Sequence, residues 1–210
     1  MIRIAIADDH AIVRKGLRQI ISEAEGFVIA GEAGSADDLF TVLRSRPVDV
    51  VVLDLTLGTR DGIDLLKQFK SEFPRIPVLI LSMHAEDLFA VRALRAGAAG
   101  YIEKDSAPEE LLAAIRRIAA GRTYVSPAMS ERIAADLARG GAETLLHERL
   151  SDREFEIFRL LGLGKTVSDI ARNLNLSVKT VSTHRTRILA KTALRDNAAI
   201  IQYVTAHHLG

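Results

Sequence analysis

The chain reads as a doubly wound α/β domain with a five-stranded parallel sheet, followed by an all-α domain of four helices. Three observations point there. Short β-rich runs alternate with helix-length segments through the first 120 residues. That alternation stops after "AAIRRIAAG", and from Leu150 onward the segments carry helical periodicity and capping signals. The charge also reverses: residues 1–120 hold 15 Lys+Arg against 18 Asp+Glu, residues 121–149 hold four of each, and residues 150–210 hold nine against five. A length of 210 residues fits two compact domains, one ordinary and one small.

The strands come in the order "IRIAIA", "FVIAGE", "VDVVVLD", "IPVLILS" and "AGYIEKD". The third and fourth are almost continuously apolar, as parallel strands covered on both faces by helices should be. Between them, Ile12, Leu17, Ile20 and Ile21 mark the buried face of a first helix, Leu39, Val42 and Leu43 of a second, and Leu65, Leu66 and Phe69 of a third. Residues 1–121 then form the first domain. Residues 122–148 form a linker containing a helix over 127–138, opened by Pro127 with Ser126 as its cap, and a flexible stretch around Gly140-Gly141.

Residues 149–210 read as four helices: "LSDREFEIFRLLGLG", "TVSDIARNLN", "LSVKTVSTHRTRILAKT" and "LRDNAAIIQYVTAHHLG". Ser151 and Glu154 have capping-box spacing, Gly162 and Gly164 close the first helix, and Ser177 is placed to cap the third. One small core is expected from Ile157, Leu160, Leu161, Ile170, Ala171, Leu174, Val178, Val181 and Ile188.

Composition removes several function classes. No cysteine occurs, which excludes disulfides, thiolate zinc sites and cysteine nucleophiles and fits a reducing compartment. No run approaches the roughly 20 apolar residues of a membrane span, and the N-terminal apolar run is too short for a signal peptide. A cytoplasmic protein with no membrane partner is expected. The acidic front and basic back fit a regulated module joined to a nucleic-acid binder, and equally two solvated surfaces.

In open parallel sheets ligands bind beyond the carboxyl ends of the strands, where strand order reverses. Asp8 and Asp9 follow strand one, Asp54 ends strand three, Ser82 ends strand four, and Lys104 follows strand five. Taken singly, these are ordinary caps, turn residues and surface charges. Taken together, three carboxylates on one edge repel one another unless a cation sits among them. Oxygen-only ligands with open positions suit Mg²⁺, and Ser82 and Lys104 are left to meet an anion beside it.

"ADDH" at 7–10, "LDLTLGTRDG" at 53–62, "LS" at 81–82 and "GYIEKD" at 100–105 resemble the receiver domain of bacterial response regulators, with its flavodoxin-like sheet. That resemblance implies that Asp54 accepts a phosphoryl group and that Asp9, Asp54 and the backbone carbonyl of Thr56 ligate Mg²⁺. It also implies that Asp8 holds the ion through water, that Ser82 and Lys104 contact the phosphoryl oxygens, and that Tyr101 moves as a switch. Where the family often has Met-Pro after the phosphoacceptor this chain has Leu57-Gly58, and Met83 replaces a smaller residue. His10 and His84 read as packing or surface residues.

In the back third, two short helices joined by "NLNLS" form a helix-turn-helix pattern whose second helix is dense in basic and hydroxyl side chains. "LSDREFEIFRLL", "SDIARNLNLSVKTVSTHRTRI" and "KTALRDNAAI" resemble the LuxR-type DNA-binding module, and its union with a receiver resembles the NarL/FixJ type of response regulator. By that resemblance Lys179, Ser182, Thr183 and Thr186 face bases, while Thr180, Arg185 and Arg187 face phosphates. Ile201 and Val204 on the last helix would pair two protomers on an inverted repeat. Val178 and Val181 read as core, and His184 as a packing or phosphate contact.

The function implied is a transcription factor phosphorylated at Asp54 by a sensor histidine kinase, then dimerising on double-stranded DNA and working with RNA polymerase. It is no enzyme beyond the chemistry of its own Asp54. Two alternatives stand beside it: a DNA-binding regulator whose receiver is a phosphate-independent scaffold, and an Asp-nucleophile phosphatase or phosphotransferase. Haloacid-dehalogenase-like phosphatases want a second Asp two residues after the nucleophile, where this chain has Thr56.

Overall fold

The computed structural model describes residues 1–57, 62–83, 86–126, 130–131, 145–207 and 209. The chain divides into two compact units, Met1–Gly140 and Gly141–Gly210. The division falls inside the segment expected to link two domains.

In the first unit five strands, β1 (Ile2–Ala7), β2 (Phe27–Ala33), β3 (Val50–Asp54), β4 (Val78–Ser82) and β5 (Gly100–Glu103), pair in parallel in the order β2-β1-β3-β4-β5. Helices α1 (Ala11–Glu23), α2 (Ala36–Ser45), α3 (Gly62–Glu72), α4 (Glu86–Arg95) and α5 (Pro108–Ala119) alternate with them. Strand order reverses between β1 and β3, so the crevice for a ligand opens beyond their carboxyl ends. Every residue of β3 and β4 is buried, which is why their sequences lack alternation. On one face Ile4, Ile6, Val50, Val52, Leu79 and Leu81 pack with Leu17 and Ile21 of α1 and Leu111, Ile115 and Ile118 of α5. Elsewhere Phe69 and Phe40 meet Phe73, with ring centroids 5.7 and 6.1 Å apart.

Ile12, expected on the buried face of α1, is 87% exposed. At 100° per residue it lies half a turn from Ile21, so a helix that buries Ile21 must turn Ile12 outward. Phe40 of α2, not assigned to the core from sequence, is buried.

At Gly62 and Gly100 a backbone carbonyl of another segment approaches too closely for any side chain. A Cβ on Gly62, the first residue of α3, would sit 2.1 Å from the carbonyl oxygen of Leu55, so the loop after β3 closes tightly on that helix. A Cβ on Gly100 would sit 2.7 Å from the carbonyl oxygen of Tyr124. There the chain leaving α5 runs beside β5: Tyr124 N donates to Ala99 O at 2.9 Å, and Tyr101 N donates to Tyr124 O at 3.3 Å.

The second unit opens with a 3-10 turn, Leu146–Arg149, followed by α6 (Asp152–Gly162), α7 (Val167–Asn173), α8 (Val178–Thr192) and α9 (Asn197–Ala206). The Ser151–Glu154 capping box forms, with Ser151 Oγ accepting from Glu154 N and Glu154 Oε2 accepting from Ser151 N. Thr166 and Asp169 build a second box, and Ser177 Oγ accepts from Thr180 N at 3.0 Å. Asn175 turns the chain between α7 and α8 in the left-handed region, at φ 56°.

Phe155, Ile157, Phe158, Leu161, Ile170, Val181, Ile188, Ile200 and Val204 form the core of this unit. Two expectations are corrected. Val178 is 51% exposed, because it begins α8 and projects past the helices packed on Val181. Val204 is 2% exposed: α9 presses on α6 at Gly162, where an added Cβ would come within 2.4 Å of Val204 Cγ2. Leu160 and Leu174 are half-buried.

The helix expected over 127–138 lies outside the described residues except at Ser130 and Glu131, which are helical. The Gly140-Gly141 stretch, Gly58 and His84 also lie outside them. Among the described residues no helix is long and apolar enough to cross a membrane.

Candidate functional site

The carboxyl ends of β1, β3, β4 and β5 bring the expected side chains together. Asp8, Asp54 and Ser82 are 1%, 1% and 0% exposed. Lys104 enters from the far side of the sheet: Ser82 O accepts from Lys104 N at 2.8 Å, fixing the turn after β5. Its Nζ then reaches Asp8 Oδ2 and Asp54 Oδ2, each at 2.7 Å. Two carboxylates buried this close repel, and the ammonium between them offsets that repulsion. Burial pulls the Lys104 amine down, but its hydrogen bonds to Asp54 and Asp8 outweigh this and hold it above its ordinary value.

Asp54 is also tied to its own loop. Thr56 N donates to Asp54 Oδ1 at 3.0 Å, and Thr56 Oγ1 donates to Oδ2 at 2.8 Å. Asp8 is tied to the start of α1, where its Oδ1 accepts from His10 N at 2.7 Å and its backbone carbonyl accepts from Arg14 Nη1 at 2.6 Å. Asp9, partly exposed, meets His10 Nδ1 at 2.8 Å. Tyr101 is buried at 1% exposure and pairs in register with Ile80, two residues before Ser82. Met83 is 76% exposed.

Asp8, Asp9, His10 and Asp54 each offer one ligand atom, all within 4.8 Å of one another. Three carboxylates from two adjacent loops make a hard, oxygen-rich donor set that fits a divalent cation such as Mg²⁺. The residues a nucleophilic carboxylate needs are therefore assembled: an acidic cation site, an ammonium on its other side, and a buried hydroxyl on the neighbouring strand.

Asp8, Asp9, Asp54, Ser82 and Lys104, expected at this edge from their strand-end positions, are brought there by the fold. His10, expected to be a packing or surface residue, lies against all three aspartates, and Arg14, not expected at the site, bonds the Asp8 carbonyl. The signal available was position: His10 directly follows the acidic pair, and Arg14 lies one helical turn on.

In the second unit, α8 carries Lys179, Arg185, Arg187 and Lys191 and no acidic residue. Lys179, Ser182, Thr183, Thr186 and Arg187 are exposed along it. Thr183 and Thr186 hydroxyls donate back to the carbonyls of Lys179 and Ser182, at 3.0 and 3.1 Å. Thr180 is half-buried beside the cap, 2.7 Å from Ser177 Oγ, and Arg185 Nε donates to Asn197 Oδ1 at 2.7 Å. Those two are positioned by their own domain, whereas the exposed set presents a free basic and hydroxyl face.

His184 turns inward. Its Nδ1 is buried without a hydrogen-bond partner among the described residues. Burial pushes its pKa below the usual imidazole range, with Arg187, Arg153 and Lys191 acting the same way against Glu154. Ile201 is 40% exposed on α9, while Val204 belongs to the core.

Comparisons with known proteins agree with both halves. The response regulator receiver domain family matches residues 4–116, and the luxR family of bacterial regulatory proteins matches residues 148–204. The response regulator UvrY of Escherichia coli K12 is 29% identical over 209 residues, spanning 100% of this chain and 96% of that protein. The response regulator GacA of Pseudomonas aeruginosa is 30% identical over 207 residues, spanning 99% and 97%. Among solved structures, RcsB from Salmonella enterica serovar Typhimurium, bound to promoter rprA in the presence of phosphomimetic BeF3-, is 28% identical. It covers 97% of this chain and 98% of its own, with a TM-score of 0.58.

Proposed function

Since the chain belongs to the DNA-binding response regulators of two-component systems, a receiver followed by a luxR-type helix-turn-helix module, we propose that Asp54 is its phosphoacceptor and that phosphorylation controls DNA binding by α8. The observation that carries this reading is the pair of 2.7 Å contacts from Lys104 to Asp54 and Asp8, at the sheet's switch point.

A sensor histidine kinase is the donor. Asp54 attacks phosphorus in line, the P–O bond to Asp54 forms as the bond to the donor breaks, and an acyl phosphate results. Asp9, Asp54 and the carbonyl of Thr56 would hold Mg²⁺, with Asp8 reaching it through water. When bound it supplies positive charge against the transferring phosphoryl oxygens. Lys104 leaves its salt bridge with Asp54 to meet one of those oxygens, and the Ser82 hydroxyl donates to another. Tyr101, on the strand beside Ser82, then moves as the switch that alters the outer face of the domain.

At the other end, Lys179, Ser182, Thr183 and Thr186 read base edges, and Thr180, Arg185 and Arg187 hold phosphates. A homodimer formed on phosphorylation, paired through α9 at Ile201, matches an inverted repeat in double-stranded DNA. Action there on RNA polymerase, with a kinase as donor, makes the cytoplasm its place of work.

Intact mass after incubation with acetyl phosphate and Mg²⁺ tests the first step. Wild-type protein is expected to gain one phosphoryl group, and Asp54→Asn protein, or wild type in EDTA, none. An adduct on the substituted protein would refute the assignment.

The DNA face is tested by salt titration of binding. Lys179→Ala and Arg187→Ala replace exposed side chains and should leave folding intact. Arg187→Ala is expected to weaken all sequences alike and to lower the slope of log K against log salt by about one unit. Lys179→Ala is expected to cost about 1–3 kcal/mol on one sequence over its variants. Unchanged slope and preference in both would remove α8 from the interface.

A further inference from the structure

His10 is joined to this site by more than proximity. Its backbone N–H donates to Asp8 Oδ1 at 2.7 Å, fixing the residue to the carboxylate. Its Nδ1 then lies 2.8 Å from Asp9 Oδ1, 3.3 Å from Asp8 Oδ1 and 4.0 Å from Asp54 Oδ2. Lys104 holds the Oδ2 atoms of Asp8 and Asp54. His10 approaches Asp8 and Asp9 through their Oδ1 atoms, so at Asp8 the two basic groups take different oxygens, whereas at Asp54 both face Oδ2.

An octahedral ion with bonds of about 2.1 Å sets neighbouring ligands about 3.0 Å apart and opposite ones about 4.2 Å apart. The distances from His10 Nδ1 fall on that scale: Asp9 and Asp8 as neighbours, Asp54 near the opposite position. Small side-chain adjustments would seat one ion against Asp9, Asp54 and His10 with Asp8 within reach through water, since the ligand atoms of the four residues span at most 4.8 Å. With its side chain 63% exposed, the imidazole has room to make those adjustments.

We propose that His10 is a ligand of the divalent cation, making the site a mixed nitrogen and oxygen one that binds ions such as Mn²⁺ and Ni²⁺ in preference to Mg²⁺. The inference rests on the reading of Asp8, Asp9 and Asp54 as a cation site. Imidazole adds little for Mg²⁺, which keeps oxygen ligands and water, and adds progressively more along the series from Mn²⁺ to Ni²⁺. The metal that loads Asp54 for phosphorylation is then chosen by the supply of transition ions as well as by Mg²⁺.

Calorimetric titration of the full chain with Mg²⁺, Mn²⁺ and Ni²⁺ tests this, comparing wild type, His10→Ala and Asp9→Asn. Exposure of His10 means that its loss should leave the fold unaltered, which circular dichroism checks. Ni²⁺ affinity is expected to fall by about tenfold or more in His10→Ala, while Mg²⁺ affinity shifts by less than about twofold. Pulsed electron paramagnetic resonance of bound Mn²⁺ is expected to show nitrogen coupling in wild type and none in His10→Ala. Metal binding that is lost in Asp9→Asn but unchanged in His10→Ala, with no nitrogen coupling in wild type, would overturn the role of His10 and leave the cation site standing. No binding of any of the three ions to wild type would overturn both.

Discussion

Lys104→Met protein is expected to lose about 3–5 kcal/mol of receiver stability in EDTA and to recover much of it in millimolar Mg²⁺. The side chain of Lys104 is 6% exposed, and those of Asp8 and Asp54 are 1% and 0% exposed. Removing the ammonium therefore leaves two buried carboxylates facing each other with no compensating charge, the situation in which breaking a buried pair is most damaging. A divalent cation held as proposed, by Asp54 directly and by Asp8 through water, would replace the missing charge. The measurement is hydrogen exchange of the β1 and β3 amides in full-length protein, which reports the first unit alone, with and without Mg²⁺. Equal loss in both conditions would mean that the carboxylates do not hold a cation in common with Lys104.

Glu154 is the corresponding point in the second unit. Its carboxylate is 4% exposed and accepts from Lys191 Nζ at 2.6 Å and from Ser151 N at 2.9 Å. One side chain thus closes the capping box of α6 and ties α6 to α8, the helix that carries the basic face. Glu154→Ala removes both bonds, and about 2–3 kcal/mol of stability is expected to go with them. In a small domain that is a large share of the total.

The acid response distinguishes charge from packing. Burial raises the Glu154 carboxyl, but Lys191 and the Ser151 amide outweigh it and hold the group below its ordinary value of 4.5. As pH falls the unfolded chain takes up the proton first. The stabilisation from this charge is therefore complete above about pH 4.5 and fades as pH drops through the lower native value. Glu154→Gln protein should lack that part of the acid transition, read by urea titration across the window. An unchanged acid transition would assign the stability of the contact to packing.

The fold was legible where local pattern and tertiary structure agree. The near-continuous apolar runs at Val50–Asp54 and Val78–Ser82 announce buried parallel strands, and Ser151 and Ser177 mark helix starts by their own chemistry. The cation edge was legible because parallel topology gathers strand ends at one place wherever the loops run. Side-chain orientation was less legible. Ile12 and Val178 are apolar yet exposed, one by its angle on the helix and one by its place at a helix start. Val204 was assigned outward because the sequence does not show that α9 rests on Gly162. His10 follows Asp8 and Asp9 directly, but its approach to Asp54 exists only once β1 and β3 lie side by side.

The segment beside β5 has a consequence for the sheet as a whole. β5 is the last strand in the order, and an open strand edge offers unpaired N–H and carbonyl groups to any other chain. The residues leaving α5 occupy that edge at Tyr124, and the Tyr124 hydroxyl anchors them by donating to Glu110 Oε1 at 2.9 Å. The first residues of the linker thus cap the start of that border, and a receiver shortened to residue 121 would leave Ala99 O and Tyr101 N open to another chain.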